Sequence, residues 1–167
     1  NLSRRKGNAI KDSLLSAGII EAVVLATRSG QVVLYQLTDQ GRQAALAHQI
    51  DPGPVPRESL EHRWWVGQAR HYFEKKGYEI TLEHPIQGNG AVDLLAVRPG
   101  ETIVVEVETG KSDIKANLSH IKRSQYDKMI MIATSPEAVS ACQKAIDQVG
   151  QNPELPAVEL LTWLDIS

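Results

Sequence analysis

The stretch Ala91-Val92-Asp93-Leu94-Leu95-Ala96-Val97-Arg98-Pro99-Gly100-Glu101-Thr102-Ile103-Val104-Val105-Glu106-Val107-Glu108-Thr109-Gly110-Lys111-Ser112-Asp113 sets carboxylates at positions 93, 106 and 108 into otherwise apolar, β-prone sequence. A charge in such a setting is costly unless something pairs with it. Ala91–Val97 and Thr102–Glu108 read as two strands, and Arg98-Pro99-Gly100-Glu101 reads as the turn between them. If Arg98 pairs with Glu101, Asp93 falls opposite Glu106 and Ala91 opposite Glu108, so three acids share one face. Opposed Cβ atoms lie about 4.5–5.5 Å apart, close enough for like charges to repel. A divalent cation removes that penalty, because hard cations such as Mg²⁺ take carboxylate oxygens and lower the pKa of a bound water. The turn leaves the register open. Pro-Gly favours type II, whereas two-residue hairpins favour the primed types, so a longer loop or a bulge is the alternative.

Asp93, a gap, then Glu106-Val107-Glu108 resembles the metal site of the PD-(D/E)XK nuclease superfamily, the restriction-endonuclease-like fold that includes archaeal Holliday-junction resolvases. The acid before the gap falls on Asp93, the second acid on Glu106, and the usual Lys on Glu108, where some members of the superfamily also carry Glu. The resemblance implies that Asp93 and Glu106 hold Mg²⁺ (or Mn²⁺) with the Val107 carbonyl. Glu108 would then orient or deprotonate water, or bind a second metal, and Lys111 would supply the missing cation. Junction resolvases carry a further acidic ligand early in the preceding helix, a position that falls on Glu61, with Glu58 as the alternative.

The chain of 167 residues has 42% apolar content, enough for a core in one ordinary domain or two small ones. No run approaches the roughly 18 apolar residues of a membrane span. The start lacks the apolar segment of a signal peptide, so a cytoplasmic location is expected. The absence of an initiator Met leads us to expect a fragment of a longer protein. One cysteine, Cys142, excludes an internal disulfide and reads as a small core residue. The net charge of −2 argues against an indiscriminate polyanion binder. It is uneven: residues 1–47 hold six Lys/Arg against three Asp/Glu.

Asn8–Gly18 has helical spacing, with Gly18 as its stop and Arg4, Arg5 and Lys6 before it. Ile20–Ala26 and Gln31–Leu37 read as a hairpin through Thr27-Arg28-Ser29-Gly30, and Thr38–Leu46 as a capped helix. Helix, hairpin and helix, with Leu37-Thr38-x-x-Gly41-Arg42, resembles the closing half of a winged helix-turn-helix. That resemblance implies duplex DNA contact through Arg4, Arg5, Lys6, Asn8 and Lys11, with Arg28 at the wing tip. A packing or dimerisation role is the alternative.

Asp51-Pro52-Gly53-Pro54-Val55-Pro56 reads as a stiff linker, dividing the chain into 1–50 (partial winged helix), 51–58 (linker) and 59–167 (nuclease-like domain). Ser59 can cap a helix running to Lys76 with Gly77 as its stop, its buried stripe approximated by Leu60, Trp64, Ala69, Tyr72 and Phe73. Then come a strand over 78–84, a loop over Pro85–Gly90, the acidic hairpin, a helix over Ser112–Arg123, a strand over Lys128–Ala133, a helix over Pro136–Val149 and a strand over Val158–Leu164. The expected class is α/β. Its αβββαβ core with a mixed sheet matches the superfamily, beside a small winged-helix-like element. In the helix after the acids, Lys111, Lys115 and Lys122 would form a basic ridge beside the site, with Asn117 facing it, to contact phosphates.

Gly110-Lys111-Ser112 lacks the earlier Gly of a phosphate-binding loop, since Val105 stands there. His62, His71, His84 and His120 lack zinc-site spacing, although His62 and His120 could lie near the acids. No Gly-x-Ser-x-Gly elbow is present. The expectation is a metal-dependent DNA endonuclease, structure-selective or non-specific. Its alternative is a catalytically inactive nucleic-acid-binding or assembly module appended to a DNA-processing ATPase. Expected partners are DNA and such an ATPase or the missing N-terminal part of the same chain; homodimerisation stays open, and no membrane is involved.

Overall fold

A computed structural model describes residues 3–86, 90–149 and 152–167. The chain divides into two compact units, one ending at Leu60 and one beginning at Glu61. Among the described residues no helix is long and apolar enough to cross a membrane.

In the first unit, α1 (Arg4–Ser16) starts at Ser3, whose hydroxyl accepts the Lys6 N–H. It begins one turn before the expected start, so Arg4, Arg5 and Lys6 lie within it rather than ahead of it. Its C-terminus is a Schellman closure: Ile19 N–H donates to Leu14 O and Gly18 N–H to Leu15 O, each at 3.0 Å, with Gly18 at φ +66°. Strands β1 (Ile20–Thr27) and β2 (Gly30–Leu37) pair antiparallel from Ile20↔Leu37 to Thr27↔Gly30. Helix α2 (Asp39–Ala47) shows what the Leu-Thr-x-x-Gly-Arg signature does. Thr38 Oγ1 accepts the Gly41 N–H at 3.0 Å and donates to Gly18 O at 2.6 Å. A Cβ at position 41 would stand 1.9 Å from Ile19 O, so only glycine lets α2 seat there. Arg42 donates to Gly53 O, tying α2 to the proline-rich segment.

In the second unit, α3 (Leu60–Lys75) is followed by β3 (Glu79–Pro85), β4 (Ala91–Arg98), β5 (Glu101–Glu108), α4 (Ile114–Ser119), β6 (Lys128–Ala133), α5 (Pro136–Val149), β7 (Ala157–Thr162) and α6 (Trp163–Ile166). The expected loop over 85–90 includes residues 87–89, which lie outside the described residues. One mixed sheet has the order β3-β4-β5-β6-β7, the first two pairings antiparallel and the last two parallel. Central β5 is buried along most of its length, as its Val- and Ile-rich sequence requires. Val104, Met129, Met131 and Ala133 pack with Ile114 and Leu118 of α4 and with Ala138, Cys142 and Ala145 of α5. The alternate residues Leu94, Ala96, Ile103, Val105, Val107, Ile130 and Ile132 are also buried but lie outside that cluster. The buried stripe of α3, Trp65, Ala69 and Phe73, is the apolar surface suited to cover them.

In the second unit three features differ from the sequence reading. Trp65 is the buried tryptophan, with Trp64 against it edge-on at 4.4 Å between ring centroids, because 65, 69 and 73 form the helical stripe. Helix α4 runs only from Ile114 to Ser119, with Asp113 accepting the Ala116 N–H, and the chain then turns to bury Ile121. The last strand stops at Thr162, where Asp165 accepts both the Thr162 N–H (2.7 Å) and its hydroxyl (2.8 Å), starting α6.

Candidate active site

The hairpin that carries the acids is a two-residue turn, with Arg98 paired to Glu101 and Gly100 at φ +79°, the value a type II turn places on its third residue. Glu101 accepts from Arg98 Nε at 2.8 Å and from the Tyr78 hydroxyl at 2.6 Å. Burial and Glu101 push the Tyr78 phenol up to about 12. The register expected from Arg98 and Glu101 therefore holds from that pair through Leu94↔Val105.

Both ladders of β4 break at Asp93. The β4–β5 ladder ends one residue before it, and the β3–β4 ladder skips from Leu82↔Leu94 to His84↔Val92. Glu83, across from Asp93, takes φ +48°, uncommon for a residue with a side chain. In place of a ladder bond, Asp93 Oδ2 accepts the Val107 N–H at 2.7 Å. Its other oxygen lies 3.0 Å from His62 Nε2, in the first turn of α3. Asp93 is thus oriented by two partners from two elements.

Glu106 stands beside Asp93 and is 8% exposed. Burial pushes its carboxyl up to about 9, and the Asp93 charge and hydrogen bond act in the same direction, followed by the Glu108 charge. Burial and the neighbouring carboxylates thus oppose ionisation of Glu106 beside Asp93. Glu108, two residues on, is 1% exposed. It accepts from Asn117 Nδ2 at 3.0 Å and from the Ser112 hydroxyl. Beside it the buried Cys142 thiol is pushed up to about 12 by burial and by the Glu108 charge.

Lys111 reaches into solvent and lies 3.8 Å from Glu61, so α3 and the loop after β5 meet at the site. Among the described residues no three His, Cys, Asp or Glu side chains are arranged to hold a metal ion as they stand. Asp93 and Glu106 nonetheless suit a hard cation chemically: two adjacent carboxyls offer oxygen donors, and a cation would offset the mutual repulsion that opposes their ionising together. Glu108 does not, since its oxygens are engaged away from solvent.

Other expected residues are placed differently. Because α4 spans only Ile114–Ser119, Lys111 precedes it and Lys122 follows it, and the three lysines form no ridge on one helix; of the three, only exposed Lys115 lies within it. Asn117 faces inward to Glu108 rather than out to a ligand. His120 is the exposed C-cap of α4. In the first unit Arg4, Arg5 and Lys6 are exposed, and Lys11 pairs with Asp12 at 3.1 Å. Arg28 sits in the exposed turn between β1 and β2. The expectation that His62 could lie near the acids holds, through its contact with Asp93; the partner that sequence reading missed is Ser112, whose hydroxyl donates to Glu108.

No family model matches this chain, and no curated protein does. Among solved structures, the crystal structure of a repair endonuclease from Pyrococcus abyssi aligns over 97% of this chain and 96% of that chain, at 12% identity and a TM-score of 0.37. So loose a likeness carries no weight for fold or chemistry.

Proposed function

We propose that the second unit is a PD-(D/E)XK-type nuclease domain that hydrolyses DNA phosphodiester bonds with Mg²⁺ or Mn²⁺, structure-selectively or without sequence preference. The observation that carries this reading is the pairing of Asp93 with Glu106 where both ladders of β4 open, within the αβββαβ order. Asp93 and Glu106 would hold the cation, with the Val107 carbonyl and with Glu61 as a further acid. His62 and the Val107 N–H keep the Asp93 carboxylate in one orientation. A bound cation supplies charge neutralisation at the phosphate and a water of lowered pKa. Lys111, 3.8 Å from Glu61, would bring a positive charge to the phosphate and stabilise negative charge that grows there. Lys115 and Lys122 would contact the backbone without reading sequence.

Purified protein should cut linear duplex, single-stranded or branched DNA with Mg²⁺ or Mn²⁺ and stop when a chelator is added. Loss of one charge-stabilising donor typically costs about 10²–10³ in rate, so Lys111→Ala should fall in that range. If protein with demonstrated metal binding cuts none of these substrates, the nuclease reading fails. The sealed Glu108 favours one second reading, an inactive nucleic-acid-binding or assembly module appended to a DNA-processing ATPase.

For the first unit we propose a winged-helix element that binds duplex DNA through Arg4, Arg5, Lys6 and Lys11, with Arg28 at the wing. Each phosphate contact lowers the slope of log K against log salt by about 0.9. Replacing Arg4 and Arg5 with Ala should therefore flatten that slope by about 2, measured by fluorescence anisotropy. An unchanged slope assigns the unit to packing.

A further inference from the structure

Glu108 stands where the superfamily pattern puts its catalytic cation, yet its surroundings suit another task. It closes β5, and its carbonyl accepts the Thr134 N–H at 3.0 Å, continuing the pairing with β6. Its carboxylate closes the following chain twice, by the Ser112 hydroxyl four residues on and by Asn117 Nδ2 nine residues on. Between them the chain turns through Gly110 at φ +81°, against Ala138 of α5. Lys111 projects from this small loop toward Glu61. A general base must lie within about 2.6–3.2 Å of the water whose proton it takes. At 1% exposure, Glu108 has no room for that water.

We infer that Glu108 is a positioning residue whose carboxylate clamps the loop 109–113 and α4, and thereby sets Lys111 at the mouth of the site. Its consequence for catalysis rests on the nuclease reading above; the clamp itself does not. Lys111 has a long, flexible stem, and a fixed loop restricts where its charge can go. The clamp also explains why Glu can stand in the Lys position here: Glu108 braces the loop that carries the nearby cation.

Glu108→Gln keeps the clamp, because its amide oxygen can accept from Asn117 while its NH₂ donates to Ser112. Ser112→Ala/Asn117→Ala removes the clamp and leaves Glu108 in place. Amide hydrogen exchange of residues 109–113 in the full chain should quicken at least tenfold in the double variant, and change less than threefold in Glu108→Gln. Should the double variant fail to fold, the single Ser112→Ala and Asn117→Ala changes should each give a smaller increase. Unchanged exchange in the folded clamp-free variants overturns the clamp whether or not the protein is a nuclease. Where the wild type cuts DNA, Glu108→Gln should keep kcat within tenfold and keep the shape of the pH–rate profile, while the double variant loses about 10²-fold. A loss of 10² or more in Glu108→Gln together with one limb of that profile makes Glu108 the base and overturns the positioning role. If the wild type cuts nothing and exchange responds as stated, the clamp stands and the nuclease reading falls.

Discussion

Asp93→Asn is expected to reduce Mn²⁺ binding beyond detection by calorimetric titration and DNA cleavage by at least about 10³-fold. The change keeps the shape of the side chain, and the amide oxygen can still accept the Val107 N–H, so the backbone irregularity at residue 93 should persist. What disappears is the anionic charge beside Glu106. Disturbing the partners that merely orient a metal ligand already costs 10–100-fold, so loss of an anionic ligand should exceed that range. Unchanged Mn²⁺ affinity in this variant would remove the pairing of Asp93 and Glu106 from any account of a metal site.

The second large effect is a pH dependence of stability that Glu106→Gln should abolish. In the folded chain Glu106 holds its proton up to about 9, chiefly through burial and then through Asp93, whereas unfolded it loses the proton near the ordinary 4.5. Between those values the unfolded chain binds fewer protons than the folded one, so stability falls as pH rises. It is fullest below about 4.5 and levels off above about 9. Each pH unit inside that window costs about 1.4 kcal/mol for one proton, which makes the whole effect on the order of several kcal/mol. Urea denaturation without metal at pH 6 and pH 8.5 should show this decline in the wild type and lose most of it in Glu106→Gln. The same proton opposes cation binding. Near pH 7, Mn²⁺ should release about one proton per ion bound, read as a dependence of the calorimetric heat on the buffer's ionisation enthalpy. A wild type whose stability is flat across that range would show that Glu106 is not held protonated by the fold.

Much of the second unit was legible where local rules and the core agree. Arg98-Pro99-Gly100-Glu101 set the hairpin register through a turn that only a glycine in third place tolerates, and β6 and α5 have the bounds that their apolar runs imply. Thr38, Gly41 and Arg42 marked the start of α2 because a cap, a close approach and a tether each demand one residue type. Where several conformations satisfy the same pattern, reading fell short. Leu118 and Ile121 continue a helical stripe on paper, but Ile121 reaches the core from a turn and α4 ends at Ser119. Thr162-x-x-Asp165 carried a visible signal for α6 that the β-prone run before it obscured.

What the sequence by itself determined was the acidic hairpin: its two strands, its turn and the register from Arg98↔Glu101 through Leu94↔Val105, all consequences of a period of two and a turn with one acceptable glycine. Tertiary structure decided which atoms bond those acids. His62 reaches Asp93 from 31 residues away, Ser112 and Asn117 enclose Glu108, and Lys111 meets Glu61 across the mouth of the site. Spacing along the chain carries no information about such meetings. They follow from how α3 and α4 are seated by apolar burial, and that seating also sets how much water each carboxylate keeps.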